Sequence, residues 1–161
     1  MTLTPVPLEI TLQTSPEGPR VLYDAFMAGN MPLEKLRSLV PHAWCRHPLS
    51  APEDVIGSER WVEMFRAVGL CKVPTTLPTP SGEITLYRGT HESAARGMAW
   101  TDCRTGAESY RDGRLKRSHL TAHIYRTVIG TEAVLAVLRP GADSIEYVID
   151  PMLIVEIDVV D

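Results

Sequence analysis

An α+β fold is what this chain predicts, with a short helical N-terminal part, residues 1–80, packed on a strand-rich part, residues 81–161, in a single domain. Three observations lead there. Eleven of the thirteen prolines lie in the first 80 residues, and proline interrupts long elements, so that half is built of short helices and loops. The second half carries several short apolar and alternating runs bounded by Gly, Pro and Asp, the pattern of strands. At 161 residues one core suffices to bury most of what the unfolded chain exposes.

The elements follow in order. Residues 8–12 alternate Leu-Glu-Ile-Thr-Leu and predict a short edge strand. Pro19 at a first-turn position, with Val21, Leu22, Ala25 and Phe26, predicts a helix closed by Gly29 and Asn30. Residues 32–40 repeat the plan, with Leu33, Leu36 and Leu39 facing one way. Ser58 is placed as the cap of a third helix carrying Trp61, Met64, Phe65 and Val68 and ended by Gly69. Periodic apolar positions of this kind read as core. Residues 72–81, rich in proline and threonine, form a connector between the two parts.

Residues 83–89 form the strand on which the second half is organised. Residues 90–96 read as a polar turn or short helix, and Gly97 releases a short strand over 98–100. Thr101 or Asp102 caps a helix over 105–114 that carries Ala107 and Tyr110 at i, i+3. Strands are expected over 122–129, 134–138 and 146–149, with a turn at 139–144. A last strand over 152–159 sets Leu153, Val155 and Ile157 against Ile154, Glu156 and Asp158.

Composition removes several function classes. Hydrophobic content of 44% and charged content of 22% are ordinary for a globular protein, and the net charge of −4 argues against general affinity for nucleic acid or anionic membranes. No apolar run reaches membrane-spanning length, and the N-terminus lacks the basic and apolar blocks of a signal peptide. Cys45, Cys71 and Cys103 are widely spaced and suggest neither a metal site nor a disulfide framework. His91, His119 and His123 form no pair at metal spacing. A reducing cytoplasm and no metal are expected.

The candidate chemistry sits at Tyr87-Arg88-Gly89. Ile84, Leu86 and Arg88 share one face of their strand, Thr85 and Tyr87 the other. An arginine ending an apolar face is costly to bury without an anion, and a following glycine admits a ligand backbone or phosphate. Arg88 is therefore read as holding a phosphate-bearing ligand. The plainer alternative is a strand-end arginine reaching to Asp150 or Glu146. The only local basic excess is Arg104, Arg111, Arg114, Lys116 and Arg117 against Glu108 and Asp112. It reads as a solvated helix face, or as a docking surface for an acidic or nucleic-acid target.

Tyr87-Arg88-Gly89, then Gly97-Met98-Ala99-Trp100-Thr101, then Ile145-Glu146-Tyr147-Val148-Ile149-Asp150-Pro151 follow in the order used by the ADP-ribosyltransferase superfamily. The chain resembles its arginine–serine/threonine–glutamate branch over roughly residues 83–151. With Trp61, Phe65 and Arg66 it is also similar to small actinobacterial and phage members of that superfamily, which points to a phage or bacterial effector. The resemblance implies a split, mixed or antiparallel sheet and transfer of ADP-ribose from NAD to an acceptor it does not name: a protein side chain, a nucleic acid or water. That reaction needs a cation for the pyrophosphate, a flat wall for nicotinamide, and a carboxylate beside the ribose to stabilise an oxocarbenium-like centre. Carried over by motif, Arg88 is the NAD-holding arginine, with Tyr87, Gly89 and Trp100 beside it. Thr101 is the second-strand hydroxyl, Glu146 the catalytic glutamate and Tyr110 a candidate nicotinamide wall.

Two departures qualify the resemblance. Ala99 stands where that pattern often has serine, and Ser144 stands where arginine-modifying members place Glu or Gln, which argues against arginine as the acceptor. The histidine-bearing diphtheria-type branch matches less well, because Arg88 takes the place of its histidine. The runner-up function is a non-catalytic nucleotide- or protein-binding module on the same fold.

Overall fold

A computed structural model of the chain describes residues 15–45, 52–115, 120–141 and 144–161. The expected strand over 8–12 lies outside them. The chain forms two compact units that meet between Gly69 and Leu70, so part of the expected connector joins the second unit as a strand.

The first unit is helical. Its helices are α1 (Gly18–Met27), α2 (Leu33–Cys45), α3 (Glu53–Ile56) and α4 (Ser58–Val68). Pro19 opens α1 as expected, and Gly29 follows its end with φ of 65°. α2 runs on through Pro41 to Cys45, past the expected end at Val40. Leu36, Leu39, Ala43 and Trp44 are buried, and this packing outweighs the hydrogen bond lost at Pro41. Leu33, expected on the same face, is exposed. Gly57 rather than Ser58 is the N-cap of α4, at φ of 86°, a left-handed value that glycine accepts without strain. Trp61, Met64, Phe65 and Val68 are all buried. Trp44 meets Trp61 edge-on at 5.2 Å between ring centroids and Phe65 at 5.8 Å. The Trp61 indole N–H donates to the Pro52 carbonyl at 2.8 Å, so the ring is buried with its polar atom satisfied.

The second unit is a mixed seven-stranded sheet: β1 (Cys71–Val73), β2 (Ile84–His91), β3 (Ala99–Thr101), β4 (Ala122–Ile129), β5 (Val134–Leu138), β6 (Glu146–Ile149) and β7 (Asp158–Val159). One helix, α5 (Arg104–Leu115), belongs to this unit. The strand order is β1-β5-β6-β3-β2-β4-β7, with β1 and β5 parallel and every other pair antiparallel. An α+β class with a mixed sheet is thus observed. β4, β5 and β6 have the expected bounds.

Two strands differ from expectation. β2 does not end at Tyr-Arg-Gly but pairs with β4 through Gly89 to His91. The strand expected over 152–159 is broken. Asp150 accepts the Met152 amide at 3.0 Å and caps a single-turn helix over Pro151–Leu153. That turn resets the phase: Ile154 is buried, Val155 is 91% exposed and Met152 81%.

The core lies on one face of the sheet, where Leu86, Trp100, Tyr125, Val137, Tyr147 and Ile149 are buried together. Leu77 of the expected connector joins them, and Lys72 Nζ donates to the Leu77 carbonyl at 3.0 Å and to Thr79 Oγ1 at 2.9 Å. α5 packs on the opposite face, across β2 and β4. Among the described residues no helix is long and apolar enough to cross a membrane, and no group of three or more His, Cys, Asp or Glu could hold a metal ion.

Candidate functional site

The site begins with register. Val73, Leu138, Glu146, Thr101, Tyr87, Arg126 and Asp158 stand opposite one another in a single row across all seven strands. Directly opposed residues share a face, so Glu146, Thr101, Tyr87, Arg126 and Asp158 form a polar line on the α5 side. Thr101 and Glu146, 45 places apart in sequence with a helix and two strands between them, become neighbours.

β2 and β3 share a single registered pair, Tyr87 with Thr101, the thinnest junction in the sheet. Beyond it the two strands separate and leave a notch. Arg88 reaches across: its Nη1 donates to the Ala99 carbonyl on β3 at 2.5 Å, and its Nε to the Ala94 carbonyl at 3.0 Å. The residue is 6% exposed. Backbone carbonyls thus take two of its fixed donors. Alternation starts the Arg88 side chain on the face opposite Glu146, yet both residues border the same cleft, Arg88 at the notch and Glu146 along the row.

That cleft opens to solvent and, counted with the open space at its edge, spans about 450 Å³. It is lined by Tyr87, Gly89, Thr101 and Glu146 from the sheet, by Ala107 and Tyr110 of α5, and by Ser144 and Ile145 from the segment before β6. Tyr110 is 52% exposed and borders the cleft. Trp100 is different. It is 2% exposed, lies in the core cluster and donates its indole N–H to the Gly97 carbonyl at 2.7 Å. Its ring is a core element, and only the strand it belongs to shapes the cleft.

Gly89 is set close against α5. A Cβ built there would lie 1.9 Å from the Ala107 carbonyl oxygen and 2.6 Å from the Arg111 nitrogen. The close approach that glycine permits there is that of the α5 backbone, and the same residue also lines the cleft.

Thr101 holds two positions at once. Its Oγ1 accepts the Cys103 amide at 3.1 Å, tying the turn that leads into α5. A hydroxyl that accepts in this way keeps its own hydrogen to donate. Cys103 Sγ contacts Thr105 Oγ1 at 3.0 Å, and this hydrogen bond, with the Gly106 amide, holds the thiol below its usual pKa. Tyr147, on the core face, is pushed up, chiefly by burial and then by Asp102, whose carboxylate accepts its hydroxyl at 3.3 Å.

The basic helix is less available than its sequence suggests. Arg104 pairs with Glu108 at 3.2 Å and donates to the Val160 carbonyl at 2.7 Å, while Arg111 pairs with Asp112 at 2.9 Å and approaches Asp161 at 3.9 Å. The Arg114 side chain, Lys116 and Arg117 lie outside the described residues. Sequence reading missed Arg126, an exposed cation in the row. It is paired with Asp158 at 2.7 Å, and this hydrogen bond raises its pKa. Its strand was legible, but only the pairing of β4 with β2 sets it beside Tyr87.

Replacing Arg88 tests its bridging role. Arg88→Ala leaves the Ala94 and Ala99 carbonyls without their donor and is expected to cost about 2–4 kcal/mol of stability. Arg88→Lys keeps the charge but not the fork that spans two carbonyls, and is expected to fall close to the alanine variant. Urea unfolding measures both. A wild-type midpoint for Arg88→Ala would mean that the bridge contributes nothing.

Comparison with models of protein families, with curated proteins and with solved structures found no match to this chain.

Proposed function

We propose that the chain is an NAD-dependent ADP-ribosyltransferase that cleaves the bond between nicotinamide and ribose and transfers ADP-ribose to a macromolecular acceptor. The observation that carries this reading is the registered row Tyr87–Thr101–Glu146 lining the cleft. It sets a hydroxyl and a carboxylate side by side, as ribose chemistry requires, on the strands that bear the three motifs of the resemblance.

The cleft takes the nicotinamide–ribose end of NAD, and the adenosine end lies outside it. Nicotinamide rests against Tyr110. Glu146 accepts a hydrogen bond from a ribose hydroxyl, and Thr101 donates its free hydrogen within the same group. As the C1′–N bond breaks, its electron pair leaves with nicotinamide, positive charge spreads over C1′ and the ring oxygen, and the fixed carboxylate stabilises it. An acceptor nucleophile then bonds to C1′ and loses its proton. Arg88 adds fixed positive charge at the notch that borders the cleft.

The second reading, a binding module without catalysis, draws on Ala99 and on the carbonyls that occupy Arg88. Incubating the purified protein with NAD while following free nicotinamide and NAD binding separates the two. Nicotinamide release supports the enzyme. Binding without release supports a nucleotide-binding module, and no NAD binding at all removes the enzyme and the nucleotide-binding module together.

A further inference from the structure

We infer that Arg126 is a second phosphate-binding residue, taking the pyrophosphate of NAD on the exposed face of the sheet, and that Asp158 is its built-in competitor. This inference rests on the reading of the cleft as an NAD site and adds the subsite that reading leaves undefined.

The argument is one of position. A pyrophosphate attached to a ribose over Thr101 and Glu146 must run along the row in one direction or the other. Toward β5 and β1 the row continues as Leu138, which is fully buried, and then Val73, which offer no donor. In the other direction it continues as Tyr87 and then Arg126. Strands lie about 4.8 Å apart, so the Arg126 backbone is about 10 Å from that of Thr101. The flexible side chain spans most of the remaining distance. Arg104 and Arg111 are held by α5 carboxylates and by the chain near its end, and Arg88 by two carbonyls. Arg126 is exposed, and its ion pair with Asp158 is exposed as well. Such pairs are weak and exchange readily, whereas a guanidinium meets a phosphate through paired, charge-assisted hydrogen bonds. Asp158 is next in the same row, so it orients Arg126 in the empty site and repels the phosphate that displaces it.

Kinetics of nicotinamide release, with ADP-ribose binding by calorimetry, test the assignment on the full chain. Arg126→Gln is expected to raise KM for NAD about tenfold and to weaken ADP-ribose to a similar degree, as loss of a charge-assisted contact predicts, with kcat within about twofold. Asp158→Asn is expected to move KM and ADP-ribose affinity the opposite way, toward tighter binding. A thermal melt close to wild type in both variants excludes a general loss of structure. Unchanged KM and ADP-ribose affinity in Arg126→Gln, with the wild type active, overturn the subsite and leave the enzyme reading standing. A wild type that binds neither NAD nor ADP-ribose overturns both.

Discussion

Glu146→Gln is expected to slow nicotinamide release by about 10²–10³-fold while leaving NAD affinity near that of the wild type, the magnitude typical of removing one preorganised electrostatic contact from a transition state. Glutamine keeps the shape of glutamate and an oxygen that accepts a hydrogen bond, so ground-state contacts to the ribose survive. What it lacks is negative charge, and that matters only when the ribose carries positive charge, as the nicotinamide bond breaks. The position favours a large effect, because Glu146 is half-buried beside the buried Thr101, where water screens less than in bulk. Steady-state kinetics with equilibrium NAD binding checks the split. Equal losses of binding and turnover would assign Glu146 to holding NAD rather than to bond cleavage.

Gly89→Ala is expected to destabilise the second unit by on the order of 3 kcal/mol or more, with Tm lowered by about 10 °C. The new methyl group would overlap the Ala107 carbonyl and press on the Arg111 amide. Both are backbone atoms of α5, which cannot move aside as the end of a side chain can. α5 must therefore lift from β2, and Ala107 and Tyr110, which line the cleft, lift with it. Thermal unfolding by circular dichroism measures the loss, and NAD binding well below the new Tm is expected to weaken at the same time. A variant as stable as wild type would show that α5 tolerates a displacement of more than an ångström.

Much of this was legible in the sequence, for reasons that differ from element to element. β4, β5 and β6 announced themselves because each is a β-rich run bounded by turn residues. The segment after Asp150 also alternates, but Asp-Pro caps a turn there, and local capping outweighs a hydrophobic pattern that has no neighbouring strand to complete it. α2 passes Pro41 because the burial of Trp44 lies beyond it, and burial is a tertiary fact. In the candidate site, Thr101 and Glu146 were identified through motifs, and the register brings them together. Gly89 stands out locally as a place of close approach, but nothing local reveals which helix will lie on its strand. Arg126 was passed over because alternation gives a face but not a partner, and partners depend on register.

The single Tyr87–Thr101 pair has a mechanical consequence. The sheet is two leaves, β1-β5-β6-β3 and β2-β4-β7, joined along a seam by one registered pair, the Arg88 bridge and the helix laid over it. Parting such a seam breaks few backbone hydrogen bonds, and what resists it is the core, where Leu86 and Tyr125 of one leaf are buried with Trp100, Tyr147 and Ile149 of the other. A ligand in the notch touches both leaves. Its binding free energy is therefore also the work that holds them shut, and occupancy of the cleft and stiffness of the sheet rise together.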